Sequence, residues 1–272
     1  MVSVIVPFLD YDQVFRCYNS LPKEIEAIFL RDYNKEGPAV LRNRGAKQAK
    51  GDILFFIDSD ATVYPDTIQR IEQHFQDPKV DGVTIVWDKV PLEDNFFNKF
   101  KAIEMNHTMT TYFKTACASN GTAIKKSVFL EVGGFNEKYK DACAEDFEFG
   151  LRVIGQGYNI VFDKTIKMQH SFCNSTWEGL KKYAHRAFQR SKLLAGNVVQ
   201  TSYNCTQIKL HYASVLCPPL FIAQNISVYR QFYLYGGMFF IKASLLYYFY
   251  VFMVLTCGVA GYIYAQLCKI FF

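Results

Sequence analysis

Two aspartates separated by one small residue follow a short apolar run, in the stretch Asp52-Ile53-Leu54-Phe55-Phe56-Ile57-Asp58-Ser59-Asp60. The run predicts a strand buried on both faces, and acids at its end lie at the carboxyl edge where open α/β sheets bind ligands. Carboxylates held this close repel each other unless a cation lies between them. Because Mg²⁺ and Mn²⁺ bind carboxylate oxygens and substrate phosphates, we predict a metal–diphosphate site. The alternative is that Asp58 and Asp60 only cap the helix that Pro65 helps to start.

A second acidic group begins with Glu145 and Asp146, shortly after the glycine turn Gly133-Gly134-Phe135-Asn136-Glu137. These two acids lie at a predicted helix start, where the helix dipole favours their ionised forms. An ionised carboxylate in a cleft can take a proton from a hydroxyl group; the alternative is a plain capping cluster. His170 follows another strand-like segment, and its neutral imidazole can complete a metal site begun by Asp60. A structural histidine is the alternative there.

The elements that must position these residues alternate between strands and helices. Apolar runs predict strands at 3–7, 25–30, 53–57, 83–87, 121–124 and 159–162. Helical spacing predicts helices at 11–21, 40–50, 65–75, 96–113, 127–132 and 146–154. This alternation predicts an α/β fold with a Rossmann-like, mostly parallel sheet.

The composition changes near residue 205 and predicts a membrane-associated C-terminal region. Residues 164–210 carry eight Lys or Arg and one acid, whereas residues 210–268 carry only Arg230 and Lys242 and no acid. The apolar stretches 211–229 and 243–268 are candidate membrane spans, and 177–195 predicts an amphipathic helix at the membrane interface. The basic band places the preceding domain on the cytoplasmic side of the membrane.

Other classes of function are not supported by the composition. The basic residues are not interleaved with aromatic residues in a nucleic-acid-binding motif, so no nucleic acid partner is predicted. The eight cysteines show no metal-ligand spacing and are expected to be reduced. The chain starts directly with a strand, so no signal peptide is predicted.

Taken in order, the motifs resemble those of family 2 glycosyltransferases over about residues 1–195. The nucleotide-sugar half is similar in Ser3-Val4-Ile5-Val6-Pro7, in Ala39-Val40-Leu41-Arg42-Asn43-Arg44-Gly45-Ala46 and in the stretch from Gly51 to Asp60. The acceptor half is similar in Gly133 to Glu137, in Glu145-Asp146, in Gly157-Tyr158 and in His170. The resemblance implies a GT-A fold, a nucleotide-diphosphate sugar donor and a Mn²⁺ or Mg²⁺ cofactor.

The resemblance also implies roles for individual residues. On the donor side, Pro7, Phe8 and Asp10 would lie beside the base, Asp32 near the nucleoside, Arg42 near the phosphates and Asp58 at the ribose or sugar. Asp60 would bind the metal, and His170 would be a further metal or diphosphate contact. Asp146 would be the general base, with Glu145 beside it. Gln189 and Arg190 match part of a Gln-x-x-Arg-Trp motif; the missing tryptophan argues against processive polymer synthesis.

The predicted reaction is inverting transfer of a sugar from a nucleotide donor, with a UDP-sugar as first choice, to a hydroxyl of a lipid-linked or membrane-proximal glycan. One alternative is a polyprenyl-phosphate acceptor, as in dolichyl-phosphate-mannose-type synthases. A phosphate is already ionised and needs no general base, so the Glu145-Asp146 pair favours the hydroxyl. The other alternative is a catalytically inactive, membrane-anchored protein that binds sugar nucleotides. A homo-oligomer formed through the aromatic C-terminal region is also left open.

Overall fold

The computed structural model describes residues 1–112, 120–140, 145–195, 222 and 225–271. By their internal packing they form two compact units. The first unit comprises residues 1–94 and 108–172, and the second comprises residues 95–107 and 173–272. The predicted division into domains 1–195 and 205–272 stays a prediction, because residues 196–221 lie outside the described residues.

The first unit is built on a seven-stranded sheet with strand order β2-β1-β3-β6-β5-β7-β4. Its strands are β1 (Val2–Phe8), β2 (Glu26–Arg31), β3 (Ile53–Phe56), β4 (Ala61–Val63), β5 (Gly82–Trp87), β6 (Thr122–Lys125) and β7 (Ile160–His170). Six of the seven were predicted from apolar runs. The short β4 was not. β7 runs on to His170, beyond the predicted strand end at residue 162 and two residues past the strand-like segment 159–168.

The sheet is mixed, which corrects the prediction of a mostly parallel sheet. β1 pairs in parallel with β2 and β3, and β5 pairs in parallel with β7. β6 lies antiparallel between β3 and β5, and β4 is antiparallel to β7. The apolar runs could not reveal this, because a central strand covered on both faces is apolar whichever way it runs.

Helices cover both faces of the sheet. The helices in the described residues are α1 (Tyr11–Ser20), α2 (Pro38–Gln48), α3 (Thr67–His74), α4 (Phe96–Tyr112), α5 (Lys126–Glu131), α6 (Glu145–Gly155), α7 (Thr176–Ala195), α8 (Ile226–Tyr233) and α9 (Gly237–Phe271). Alternate residues of β1 and β3 enter opposite cores: Val4 and Phe55 pack with α1 and α3, whereas Ile5 and Leu54 pack with α2, α5 and α6. The strand ends that carry the acids are therefore fixed from both sides.

The second unit is helical and rich in aromatic contacts. Phe100 of α4, Phe232 of α8 and Tyr247 of α9 have ring centroids 5.5–6.4 Å apart. The buried Lys101 ammonium lies 2.5 Å from Glu104 Oε2 and donates to the Tyr250 hydroxyl at 2.8 Å. The amphipathic stretch 177–195 is helical, as predicted.

One helix in the described part of the chain is long and apolar enough to cross a membrane, within Gly237–Val254 of α9. The candidate span 243–268 lies inside α9. The candidate span 211–229 falls mostly outside the described residues, and its last residues belong to α8.

Candidate active site

The Asp58-Ser59-Asp60 segment links two strands at opposite parts of the sheet. It leaves β3 and enters β4, whose first residue, Ala61, pairs with His170 of β7. The Ser171 amide donates to the Asp60 carbonyl at 2.8 Å, and Asp60 Oδ1 lies 3.1 Å from His170 Nε2. The helix-cap alternative is wrong, because β4 intervenes and the N-cap of α3 is Asp66. The sheet itself brings His170 to Asp60.

Asp58, Asp60 and His170 can each offer one ligand atom, and these three atoms lie within 4.8 Å of one another. Two carboxylate oxygens and one imidazole nitrogen suit a divalent cation of the Mn²⁺ type, whereas Mg²⁺ prefers oxygen ligands alone. The donor set therefore fits a metal. The buried Cys17 thiol is near the same acids: burial and the charges of Asp58 and Asp60 raise its pKa to about 12. A thiol that stays protonated is a poor metal ligand.

Arg42 of α2 joins the two acidic groups. Its Nη2 donates to Asp58 Oδ1 at 2.7 Å and its Nη1 donates to Glu145 Oε1 at 2.9 Å. The Arg42 side chain is 2% exposed and that of Glu145 is 3% exposed. A buried guanidinium is stable only when its charge is compensated. Because Asp58 and Glu145 share Arg42 as a partner, the position of each carboxylate depends on that of the other. This is a contact that the sequence analysis did not foresee. The predicted position of Arg42 near the phosphates stays a prediction.

The neighbouring residue, Asn43, fixes the glycine turn before α6. Its side-chain amide donates to the Phe135 carbonyl and accepts from the Phe135 amide, both at 2.8 Å. Gly134 has φ of +67°, and a Cβ atom there would lie 2.6 Å from Asn43 Oδ1. A side chain at this position would therefore clash as well as strain the backbone. Arg42 and Asn43 therefore connect the two predicted motif groups in the structure.

Glu145 and Asp146 begin α6, as predicted. Burial raises the pKa of Glu145 and the negative charge of Asp146 raises it further, against the opposing effect of Arg42. Asp146 is half-buried. The two adjacent acids thus have different surroundings, since Glu145 is held against Arg42 in the interior.

The four residues predicted on the nucleoside side lie at or just after the ends of β1 and β2. Pro7 and Phe8 are the last residues of β1. Asp10 is the N-cap of α1 and accepts from the Asp12 amide at 3.1 Å. Asp32 accepts from the amides of Glu36 and Gly37 at 2.8 and 3.0 Å. Both aspartates therefore support local backbone, and their contact with a nucleoside stays a prediction.

Several residues near these sites were missed by the sequence analysis. Arg31 lies over the exposed rings of Tyr11 and Tyr33, at 4.5 and 4.9 Å from their centroids. The buried Asn120 accepts from the Asp58 amide at 3.1 Å and so supports the first acid. Trp87 stacks on His170. None of them stands in a motif that the sequence analysis used. Gln189 and Arg190 lie in α7, but their side chains lie outside the described part of the structure.

Comparison with known sequences identifies the family of the chain. The profile of a family described as "Glycosyltransferase like family 2" matches residues 20–215, which is well over half of the chain. The chain belongs to this glycosyltransferase family. An uncharacterized glycosyltransferase of Haemophilus influenzae is 28% identical over 129 residues, which cover 46% of this chain and 43% of the relative. A glucosyl-dolichyl phosphate glucuronosyltransferase of Haloferax volcanii is 25% identical over 186 residues, 57% of each chain. The glycosyltransferase thus spans about half the length of the curated relatives it matches.

Solved structures show the same fold. A mannosyltransferase of Pyrobaculum calidifontis, solved with GDP-Man and Mn²⁺, superposes with a TM-score of 0.59 at 15% identity and covers 98% of this chain and 87% of its own. Residues 1–349 of S. aureus TarS, solved with UDP, superpose with a TM-score of 0.51 at 15% identity and cover 96% of this chain and 88% of their own. At these identities the likeness establishes a GT-A-like fold for the glycosyltransferase.

Proposed function

We propose that this glycosyltransferase moves a sugar, with inversion, from a nucleotide-diphosphate donor to a hydroxyl group of a lipid-linked or membrane-proximal glycan. The observation that carries the proposal is the chain of contacts from Asp60 to Glu145. His170 contacts Asp60, while Arg42 binds both Asp58 and Glu145. An acidic site able to hold a metal and an acidic helix start therefore belong to one connected cluster.

In the proposed reaction, the oxygen of the acceptor hydroxyl bonds to the anomeric carbon of the donor sugar, and Asp146 accepts the proton that this hydroxyl loses. Glu145 and Arg42 hold the start of α6 against the donor side, which fixes the position of Asp146. Asp58 orients the ribose or sugar while it remains bound to Arg42. The bond from the anomeric carbon to the diphosphate oxygen breaks on the opposite side, so the configuration inverts.

Asp58, Asp60 and His170 would hold the divalent cation. When bound, Mn²⁺ or Mg²⁺ supplies positive charge that stabilises the departing nucleoside diphosphate. The mixed oxygen and nitrogen donor set favours Mn²⁺, and the P. calidifontis mannosyltransferase was solved with Mn²⁺ and GDP-Man. TarS was solved with UDP. A UDP-sugar remains the first donor to test, and a GDP-sugar the second.

The lipid-linked acceptor is supported by two observations. One relative is named a glucosyl-dolichyl phosphate glucuronosyltransferase, so its name includes a sugar carried on a lipid phosphate. The chain also ends in the apolar helix α9 and contains no Asp or Glu after Glu178. A segment that is apolar and purely basic suits the anionic cytoplasmic surface of a membrane. We therefore propose a membrane-bound enzyme whose active site faces the cytoplasm.

A donor screen with the purified full-length chain tests this proposal. Hydrolysis and transfer would be measured for UDP-, GDP- and other nucleotide sugars, with Mn²⁺, with Mg²⁺ and with EDTA. We expect turnover of one donor class, dependent on metal and increased by a lipid-linked glycan. Tight donor binding without any turnover would contradict the proposal and favour an inactive binding protein. Turnover that EDTA does not reduce would contradict the metal site.

A further inference from the structure

The indole of Trp87 lies flat against the imidazole of His170. Their ring centroids are 4.6 Å apart and their planes differ by 6°. Trp87 is the last residue of β5 and His170 the last of β7. The two strands pair in parallel, with Trp87 opposite Met168, so the side chains meet at the same edge of the sheet.

Phe172 contacts both rings of this stack. Its ring centroid lies 4.6 Å from that of His170 and 5.6 Å from that of Trp87. The backbone is fixed around the same residues, because the Leu92 amide donates to the His170 carbonyl at 3.2 Å and the Asp88 amide donates to the Met168 carbonyl at 2.7 Å. The imidazole is therefore enclosed by aromatic rings and is only 7% exposed.

A histidine that binds a metal usually donates its other ring N–H to a carboxylate or a carbonyl, which fixes the ring orientation. His170 places Nε2 3.1 Å from Asp60 Oδ1. Its other nitrogen, Nδ1, is buried and has no hydrogen-bond partner among the described residues. The usual polar support is therefore missing from the described surroundings of this ring.

We propose that Trp87 is a positioning residue that orients His170 towards the metal by ring stacking in place of a hydrogen bond. This inference rests on the metal site of the proposed function. A flat aromatic contact restricts rotation of the imidazole and keeps Nε2 beside Asp60. Removing the indole would leave the ring free to turn in a partly emptied space, so the third ligand would be lost for part of the time.

The fluorescence of Trp87 gives a direct test that needs no change at residue 87. The chain has only one other tryptophan, the exposed Trp177, and Trp177→Phe makes Trp87 the only indole. Mn²⁺ is paramagnetic and quenches a nearby indole. We expect saturable quenching that EDTA reverses and that Asp60→Asn abolishes. Emission unaffected by Mn²⁺, in a protein that binds Mn²⁺, would overturn the inference.

The second test measures Mn²⁺ affinity from the electron paramagnetic resonance signal of free Mn²⁺, independently of fluorescence and of turnover. Trp87→Leu should weaken binding about tenfold, in the range seen when groups that orient metal ligands are lost. Trp87→Phe keeps an aromatic face and should restore most of the affinity, and the control Trp177→Phe should match the wild type. Equal Mn²⁺ affinity of folded Trp87→Leu and wild type would overturn the positioning role of Trp87 and leave the metal-dependent function unaffected. A wild-type chain that binds no Mn²⁺ would overturn both this inference and the metal-dependent function.

Discussion

Each of the two acidic groups of this glycosyltransferase contains two carboxylates, but the residues around them differ. On the donor side, Asp58 binds Arg42 while Asp60 lies against His170. On the acceptor side, Glu145 binds the same Arg42, and Asp146 follows it at the start of α6. In each pair, therefore, one acid is held by the buried guanidinium and the other begins the proposed chemistry. We therefore assign different proposed roles to neighbouring carboxylates because their contacts differ.

The largest effect should come from the acid that contacts His170. Asp60→Asn removes a negative ligand without changing the shape of the side chain, and we expect transfer to fall by about 10³-fold or more. Donor turnover and Mn²⁺ binding should be measured together. Asp52→Asn, at the other end of β3 where the side chain is 94% exposed, is the matched control and should behave as wild type. Near-normal turnover of Asp60→Asn would contradict the proposed role of Asp60 as a metal ligand.

Asp146→Asn should have the next largest effect, because it removes the proposed general base. Transfer to a hydroxyl acceptor should slow by about 10²–10⁴-fold, while donor binding stays almost unchanged. Single-turnover transfer and equilibrium donor binding separate the two quantities. A variant that loses little activity would instead favour a phosphate acceptor, which is already ionised.

Arg42→Lys tests the residue that both pairs share. Lysine keeps the charge but cannot donate to Asp58 and Glu145 in the planar geometry of a guanidinium. We expect the free energy of unfolding to fall by about 2–4 kcal/mol, because the buried Glu145 and the partly exposed Asp58 lose their shared guanidinium partner. Arg44→Lys on the same helix is the control; its ion pair with Glu36 is partly exposed, and the expected loss is about 0.5 kcal/mol or less. Urea unfolding measures the free energy of unfolding of both variants. Equal losses would contradict the role of Arg42 as the shared partner of the two acids.

Glu145→Gln compares the held acid with its neighbour. Glutamine still offers an oxygen to Arg42, so we expect transfer to fall by less than about tenfold, far less than for Asp146→Asn. The two variants should be assayed side by side with saturating donor. A larger loss for Glu145→Gln than for Asp146→Asn would reverse the proposed roles.

The smallest effect concerns an acid outside both groups. Burial opposes the ionisation of Asp163, but hydrogen bonds from Thr165 and His74 outweigh it and lower its pKa to about 2. A lowered pKa stabilises the fold at pH values above the unfolded pKa of about 3.9, and this stability is lost as the pH falls towards 2. The free energy of unfolding of Asp163→Asn should therefore be about 1–2 kcal/mol lower than that of the wild type at pH 7, and nearly equal to it near pH 2. Activity of this variant at pH 7 should be normal.

The sequence alone was sufficient for most elements of the sheet and for the two acidic groups. Apolar runs identify strands such as β3 directly, because a strand buried on both faces must be apolar along its length. The order of the motifs then led to Asp60, His170 and Asp146. These predictions depend on local patterns, and local patterns are what a single sequence displays.

The features that were missed depend on contacts between distant parts of the chain. β4 has three residues, too few to show a period. The second half of β7 contains Lys164 and Lys167 and includes an irregularity in the pairing with β5, so its apolar run ends at residue 162 although the sequence is strand-like as far as residue 168. The bond between Arg42 and Glu145 joins residues 103 positions apart. The Trp87–His170 stack likewise exists only after two strands have paired.

The position of β4 at the edge of the sheet has a consequence for folding. The strand that it pairs with, β7, begins only at Ile160, so Asp60 cannot be fixed beside His170 until most of the first unit has been synthesised and has folded. Pairing of such distant segments is slow, because a long loop must close before any contact forms. During refolding, the β4 amides should be among the last to gain protection from hydrogen exchange. The complete set of three proposed metal ligands would then form only when the sheet is complete.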